Sequence, residues 1–235
     1  MYLMPSRMTK FSALDLPRYL SQNAAMQIES IIVGPFEVNC YLARQEGESS
    51  ALVVDPGAES ALILRELARR RLQPAAYLLT HGHVDHLSAL EDICRKHPAP
   101  VYMSRQDAAW AFLPVNRYPP YYDAPQKAPE VIVTFEQDGQ SITAAGLTWQ
   151  VIETPGHSPG GVCYFFPDAN VLISGDTLFQ NSVGRTDLPG GDPRVLTQSL
   201  KKLAQLPPQT VVYPGHGPST TIHDEKQNNF FFRFR

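Results

Sequence analysis

The sequence predicts a single α/β domain in which two β-rich halves carry helices on their outer faces. Three observations lead to this prediction. Short runs rich in β-branched and aromatic residues recur along the chain, separated by glycine, proline or polar turns. Two segments, residues 60–71 and 194–206, carry apolar residues at helical spacing. No repeat, low-complexity tract or linker divides the 235 residues.

The predicted elements alternate in the first half and are mostly strands in the second. In the first half, strands are predicted at 27–33, 39–43, 51–54, 76–79 and 101–103, with helices over 60–71, 85–97 and 106–112. Residues 114–129 are rich in proline and tyrosine, which is typical of an ordered insertion that forms a lid or an interface. In the second half, strands are predicted at 131–135, 141–143, 147–154, 161–166, 171–174 and 210–213, with a helix over 194–206. We expect the domain to span residues 26–235 and residues 1–25 to form an N-terminal extension.

The composition excludes several classes of protein. The chain is 43% hydrophobic and 18% charged, which suits a buried core rather than disorder. Its formal net charge of −3, without a long basic run, argues against a dedicated nucleic-acid partner. No apolar run is long enough to span a membrane, so no membrane partner is expected. Three widely spaced cysteines form neither a disulfide framework nor a thiolate zinc site, which favours a reducing, cytoplasmic location.

One short stretch concentrates the residues that bind metals. His81, His83, Asp85 and His86 fall within six positions, directly after an apolar run predicted to be a buried strand. Imidazoles and carboxylates are ligands for zinc, iron and manganese, and short side chains on a tight loop can converge on one ion. The stretch therefore predicts a metal site.

Four more polar residues follow predicted strands and lie beside a glycine. They are Asp55, His157, Asp176 and His216. Strand ends that meet at one edge of a sheet are where loop-borne sites are assembled. We therefore expect these residues to join the first stretch in one site.

The order of these residues resembles the metallo-β-lactamase fold superfamily. The resemblance implies an αββα sandwich, in which two mixed β-sheets lie face to face with helices outside and a metal site at one edge. It also implies the ligand sets. His81, His83 and His157 would hold one divalent metal ion, Asp85, His86 and His216 a second, and Asp176 would bridge them. Zinc is the expected metal, with iron or manganese as alternatives.

Two segments resemble the glyoxalase II branch of this superfamily. Residues 174–179 are similar to that branch's segment around the bridging aspartate, and residues 220–226 are similar to the tail of its short, single-domain hydrolases. The implied activity is hydrolysis of a glutathione-type thioester of the S-lactoylglutathione class by a metal-bridging hydroxide, which Asp85 and Asp176 would position. A small-molecule thioester is the expected partner.

Two further residues are candidates for supporting roles. Asp55 can fix the tautomer of a ligand histidine, or it can simply form the turn in Asp-Pro-Gly. Arg185 can hold a carboxylate of an acidic thiol conjugate, or it can pair with Asp187 or Asp192. In glyoxalase II a lysine that contacts glutathione stands at the position of Arg185, and the tyrosine found two positions later in that pattern is Asp187 here.

Two other functions remain open at this stage. Persulfide dioxygenases, which carry a single iron, also resemble this chain and share the segment at residues 184–187. The resemblance implies that such an enzyme would use only His81, His157 and Asp176. A non-enzymatic, metal-stabilised scaffold is the third reading, but seven available ligands suit an open site better than a closed structural one.

Overall fold

Two six-stranded β-sheets lie face to face at the centre of the protein, in the computed structural model that describes residues 25–122 and 127–234. Helices cover both outer faces, which gives the four layers that the resemblance implies. Apart from Ala25, the N-terminal extension predicted over residues 1–25 lies outside the described residues. Among the described residues, no helix is long and apolar enough to cross a membrane.

The first sheet contains six strands in the order of the chain. They are β1 (Met26–Val33), β2 (Val38–Gln45), β3 (Ser50–Val54), β4 (Gln73–Leu78), β5 (Val101–Met103) and β6 (Ile132–Thr134). The first three pair antiparallel, and the pairs from β3 to β6 are parallel. Parallel neighbours need crossovers, and these contain α1 (Ser60–Arg70), α2 (Leu90–Lys96) and the short α3 (Arg105–Ala108).

The second sheet is mostly antiparallel. Along the chain come β7 (Ser141–Ala144), β8 (Leu147–Glu153), β9 (Val162–Phe166), β10 (Val171–Gly175), the hairpin β11 (Leu178–Phe179) and β12 (Ser182–Val183), α4 (Pro193–Leu203), β13 (Val211–Pro214), β14 (Thr220–Thr221) and α5 (Ile222–Asn228). The sheet order is β14-β13-β10-β9-β8-β7, and the hairpin forms a separate pair. The β10–β13 pair is parallel, with α4 in its crossover.

Side chains of β2 and β3 alternate between two cores, as expected for strands buried on both faces. Cys40 and Leu42 pack outward with helices α1 and α2, whereas Tyr41 and Ala43 pack inward. The inner core also contains the fully buried Trp149 of β8. A third cluster packs α4 and α5 against the outer face of the second sheet. This arrangement leaves the strand ends of both sheets at one edge to form a site.

Several predicted elements differ from those observed. The helix predicted over residues 106–112 ends at Ala108, and turns follow. Backbone bonds continue as far as the N–H of Ala111, which donates to the carbonyl of Asp107, and the side-chain amide of Asn116 then donates to the carbonyl of Ala111, where the chain has turned away from the helix. The helical pattern over 85–97 is split into a 3-10 turn at Val84–His86 and α2. The short strands β11, β12 and β14 and helix α5 were not predicted.

Candidate metal centre

Seven side chains meet where strands of the two sheets end. His81 and His83 follow β4, and Asp85 and His86 lie in the 3-10 turn just beyond. The other three come from the second sheet, after β8, β10 and β13: His157, Asp176 and His216. The structure therefore brings together every residue that was predicted as a metal ligand.

The ligand atoms form three overlapping groups of three, and the group of His81, His86 and Asp176 joins the other two. One nitrogen from each of His81, His83 and His157 lies within 4.8 Å of the others. The same limit holds for one atom each of Asp85, His86 and His216. These are the two ligand sets that the resemblance implies, and the geometry is compatible with two ions.

Asp176 lies between the two groups. Its Oδ1 is 3.5 Å from Nε2 of His86, and its Oδ2 is 3.6 Å from Nε2 of His157 and 3.5 Å from Nε2 of His216. It therefore reaches members of both sets, as a bridging carboxylate must. Burial by itself raises the pKa of Asp176, but the imidazoles of His86, His216 and His157 outweigh it and hold the pKa well below its ordinary value.

Outer partners orient three of the imidazoles. Nδ1 of His86 is 3.1 Å from Oδ2 of Asp55, Nδ1 of His157 is 2.7 Å from the carbonyl oxygen of Arg185, and Nδ1 of His216 is 2.8 Å from the carbonyl oxygen of Phe36. An oxygen acceptor at Nδ1 requires the proton there, so the Nε2 lone pair turns to the centre. Asp55 therefore occupies the position expected of a residue that fixes the tautomer of a ligand histidine.

Asp55 also acts on a second histidine through Thr80. The hydroxyl of Thr80 donates to Oδ2 of Asp55 at 2.7 Å and lies 3.1 Å from Nδ1 of His81. Because the hydroxyl proton is used by Asp55, the oxygen accepts from Nδ1–H of His81. Nε2 of His81 then carries its lone pair toward the first group.

The buried atoms of the site fit metal ions. Nε2 of His81, Nε2 of His86 and Oδ1 of Asp176 are buried and have no hydrogen-bond partner among the described residues. Leaving such an atom unpaired costs about 1–3 kcal/mol, more for a charged group, so a folded protein rarely keeps three together without a function. Each is a lone-pair donor aimed at the same small volume.

The charge of the site also favours cations. Burial raises the cost of charging an imidazole, and with the neighbouring histidines it lowers the pKa of His83 to about 3 and that of His81 well below 6.5. Burial opposes protonation of His86 too, but Asp176, Asp85 and Asp55 outweigh it and raise its pKa to about 10. The three carboxylates around His86 thus favour the binding of positive charge, which divalent ions would supply.

Close approach of the backbone explains one glycine of the site. A Cβ on Gly215 would lie 2.2 Å from Oδ1 of Asp176 and 2.8 Å from Cε1 of His86. Any larger residue before His216 would therefore push the carboxylate of Asp176 away from the centre.

A cleft of about 920 Å³ opens onto the centre. Its floor includes His83, Asp85, His157, Asp176 and His216. Its walls are mostly apolar, formed by Phe36, Trp110, Val115, Tyr118, Phe179 and Leu188. This size matches a small-molecule site.

The proline- and tyrosine-rich insertion both lines the cleft and packs on the body. Tyr118 is part of the wall, whereas Tyr122 is buried. The ring centroids of Tyr118, Tyr121 and Tyr122 lie 5.2, 5.2 and 5.6 Å from that of Phe36, so aromatic contacts with Phe36 anchor this part of the insertion.

Two arginines line the cleft. Arg185 makes two hydrogen bonds of 2.7 Å to the carboxylate of Asp187, which is one of the two roles that the sequence left open. Arg117 has no ion pair among the described residues and was missed by sequence reasoning. No motif distinguishes Arg117, because it lies in an insertion without periodicity.

Comparisons with known proteins identify the family. The metallo-beta-lactamase superfamily pattern matches residues 33–216, and the chain belongs to that superfamily. It is 37% identical over 201 residues to the probable metallo-hydrolase YqgX of Bacillus subtilis, covering 85% of this chain and 94% of that protein. It is 32% identical over 208 residues to the hydroxyacylglutathione hydrolase GloC of Haemophilus influenzae, covering 88% and 98%.

Solved structures of similar proteins share this fold, but their names differ. BLEG-1 B3 metallo-beta-lactamase is 37% identical with a TM-score of 0.82, covering 88% of this chain and 100% of that one. TTHA1623, solved in a di-iron-bound form, is 36% identical with a TM-score of 0.75, covering 86% and 99%. ETHE1 from Myxococcus xanthus is 27% identical with a TM-score of 0.69, covering 87% and 83%. The protein is thus a member of a metal-binding, largely hydrolytic superfamily.

Proposed function

We propose that this protein is a metal-dependent hydrolase that cleaves a glutathione-type thioester of the S-lactoylglutathione class. The observation that carries the proposal is the pair of three-residue ligand groups joined by Asp176 on the floor of an open cleft. The similarity to a hydroxyacylglutathione hydrolase over almost the whole of both chains supports the substrate class.

The centre would supply the nucleophile without a serine or cysteine. Two divalent ions, when bound, lower the pKa of a shared water toward neutrality and polarise a substrate carbonyl. The two ligand groups would hold these ions, and Asp176, which reaches members of both groups, would join them. Oδ2 of Asp85, 3.7 Å from Nε2 of both His86 and His216, faces the cleft and would orient the attacking water by accepting a hydrogen bond.

The walls of the cleft suit an acyl thioester that carries carboxylates. Phe36, Trp110 and Val115 provide apolar surface for the acyl group and the thioester sulfur. Arg117 and Arg185 provide positive charge, and a guanidinium binds a carboxylate through two parallel hydrogen bonds. A glutathione conjugate has two carboxylates, of which one could bind Arg117 directly and the other would compete with Asp187 for Arg185.

A mononuclear-iron persulfide dioxygenase is the second candidate. It is favoured by the segment at residues 184–187 that resembles persulfide dioxygenases, and this segment lies beside the site because the carbonyl of Arg185 binds His157. Such an enzyme would need His81, His157 and Asp176 and leave the group of Asp85, His86 and His216 without an ion.

Metal analysis combined with three assays decides between these functions. The purified protein is analysed for zinc, iron and manganese per chain and is then assayed for hydrolysis of S-lactoylglutathione, for oxygen consumption with glutathione persulfide, and for β-lactam hydrolysis. Two metals per chain with thioester hydrolysis are expected. One iron with oxygen consumption and no hydrolysis, or β-lactam cleavage alone, would overturn the proposal. The Asp176→Ala variant, purified in the same way, controls for a contaminating hydrolase.

A further inference from the structure

Asp107 of α3 is a buried carboxylate that the proposed chemistry does not use. Its Oδ2 accepts hydrogen bonds from the backbone N–H of Gly82 at 2.8 Å and from the hydroxyl of Ser158 at 2.7 Å. Its Oδ1 accepts from the N–H of Gly160 at 2.7 Å and from the indole of Trp110 at 3.2 Å. The side chain is fully buried, so four donors in one place replace its hydration.

These donors belong to the two loops that carry the first ligand group. Gly82 lies between His81 and His83, after the first sheet's β4. Ser158 and Gly160 come directly after His157, in the turn between β8 and β9 of the second sheet. A single carboxylate therefore connects loops that belong to different sheets. These loops carry His81, His83 and His157, the three histidines of the first ligand group.

Neighbouring contacts make this connection rigid. The side-chain amide of Asn116 donates to the carbonyl of Gly82 at 2.7 Å, so the backbone N–H and the backbone carbonyl of Gly82 are both held. A Cβ on Gly160 would lie 2.0 Å from Oγ of Ser104 and 2.8 Å from Oδ1 of Asp107. The Ser104 hydroxyl in turn accepts from the N–H of Asp107 and begins α3. The loop of His157 thus sits directly against the start of this helix.

None of the four side-chain hydrogen bonds of Asp107 goes to a residue of the second ligand group, and the link through the loop, from the N–H of His86 to the carbonyl of His83, is indirect. His86 is oriented by Asp55, and His216 by the carbonyl of Phe36. Their contacts come from the ends of β3 and from the turn between β1 and β2. A change at Asp107 should therefore affect the two groups unequally.

We propose that Asp107 is a positioning residue, which sets the separation of His81 and His83 from His157 and thereby the metal affinity of that group alone. The inference rests on the proposed ligand groups and not on the identity of the substrate.

The test is the Asp107→Asn variant of the full chain. Asparagine keeps the size of the side chain but leaves one acceptor oxygen and places an NH₂ against the N–H donors. Metal-free protein is titrated with Zn²⁺ against a chromophoric chelator, which resolves the two affinities. We expect one affinity to fall by at least about tenfold while the other changes by less than about twofold, as outer partners of ligands commonly alter affinity tenfold to a hundredfold.

Glu225→Gln is the matched control. Glu225 is also a buried carboxylate with three donors, namely the Thr220 hydroxyl, the Asn181 N–H and the Asn229 amide, but it lies in α5 away from the histidine loops. We expect Glu225→Gln to lower the melting temperature and leave both zinc affinities unchanged. Selective loss at one group is a result that general destabilisation does not produce.

A folded Asp107→Asn variant with unchanged affinities, or with both reduced equally, overturns the inference. If near-UV circular dichroism shows that this variant is unfolded, Ser158→Ala, which removes one donor, replaces it. The same affinity should then fall by about threefold or more, and an unchanged value overturns the inference. The wild-type titration separates the two proposals: a single bound metal contradicts the dinuclear hydrolase, whereas the ratio of variant to wild-type affinity still tests Asp107.

Discussion

Oδ2 of Asp55 lies 3.1 Å from Nδ1 of His86, so the residue that ends β3 fixes the ring of a histidine that follows β4. Through the hydroxyl of Thr80 the same oxygen also reaches His81. In the two ligand sets that the resemblance implies, His81 and His86 belong to different metal ions, although the cluster of His81, His86 and Asp176 also brings them together. One carboxylate therefore orients a ligand of each proposed metal ion, in contrast with Asp107, which holds only one group.

Asp55→Asn should weaken both zinc affinities, each by about tenfold to a hundredfold. An amide keeps only one acceptor oxygen, so the bonds to Thr80 and His86 cannot all be preserved. Asp55 has a φ of 47°, and asparagine tolerates this left-handed conformation, so the backbone should not change. The measurement is the same chelator titration. Loss at only one group, or at neither, would show that the Asp55 network does not act on both histidines.

The site was predictable from the sequence because its residues share a local signal. Each ligand follows an apolar strand and lies beside a glycine or in the dense stretch from His81 to His86. The strands that deliver them, such as β4 and β10, were placed to within a few residues, since buried strands are continuous apolar runs. The superfamily resemblance and the αββα sandwich are confirmed by the comparisons and the sheets.

Residues that act through tertiary contacts were missed. Asp107 lies inside a helical pattern, where an aspartate is ordinarily a solvated side chain, and only the approach of two distant loops makes it a buried acceptor of four bonds. Arg117 becomes notable only when the insertion folds against Phe36 and the cleft forms. Contacts that form only when distant segments fold together produce no recognisable residue spacing in a single sequence.

Asp176→Ala should abolish turnover while the fold is kept. The carboxylate reaches His86, His157 and His216, and its loss would remove the group that joins the two ligand sets. We expect kcat/KM for the thioester to fall by at least about a thousandfold, since metal activation of water supplies several kcal/mol and each 1.4 kcal/mol is tenfold. Circular dichroism should remain that of the wild type. Near-wild-type turnover would contradict the bridging role.

Arg117→Ala should raise KM for a glutathione thioester with a smaller effect on kcat. Arg117 is exposed at the cleft and has no competing ion pair among the described residues, so it is available to a substrate carboxylate. We expect KM to rise by about tenfold, the usual size of one charge-assisted contact. Arg105→Ala, an exposed arginine at the start of α3 that does not line the cleft, is the control. Equal effects of the two substitutions would remove Arg117 from substrate binding.

Asp187→Ala should lower KM for the same substrate. The carboxylate of Asp187 now holds the guanidinium of Arg185 through two bonds of 2.7 Å, and removing it frees that cation beside the cleft. The hydrogen bonds from Arg185 lower the pKa of Asp187 to about 2, so this competition persists throughout the pH range of an assay. An unchanged KM, or a KM that rises, would indicate that Arg185 serves only the surface ion pair.

Glu66→Gln should reduce thermal stability at neutral pH but not in acid. Hydrogen bonds from Arg70 and Arg69 lower the pKa of Glu66. A depressed carboxyl pKa contributes stability above the unfolded value of 4.5, and that contribution is lost as the pH falls through the folded value. The melting temperatures of wild type and variant should therefore differ at pH 7 and converge as the pH falls through the lowered pKa of Glu66. Because α1 is remote from the ligand loops, zinc affinity should not change, and a parallel loss of affinity would contradict this separation.

Removal of metal should lower both the melting temperature and the activity. Without an ion, Nε2 of His81, Nε2 of His86 and Oδ1 of Asp176 have no partner, and the carboxylates around His86 lose their counter-charge. A ligand at a hundred times its dissociation constant stabilises a folded protein by about 2.7 kcal/mol, which at this chain length corresponds to about 5–10 °C. Protein dialysed against a chelator is measured by scanning calorimetry and is then reloaded with zinc, iron or manganese in separate samples. The metal that restores both the melting temperature and thioester hydrolysis is the working metal.

The chelator should hardly shift the melting temperature of Asp176→Ala, because that variant has already lost its bridging ligand. An equal shift in variant and wild type would mean that the stabilising ion binds without Asp176.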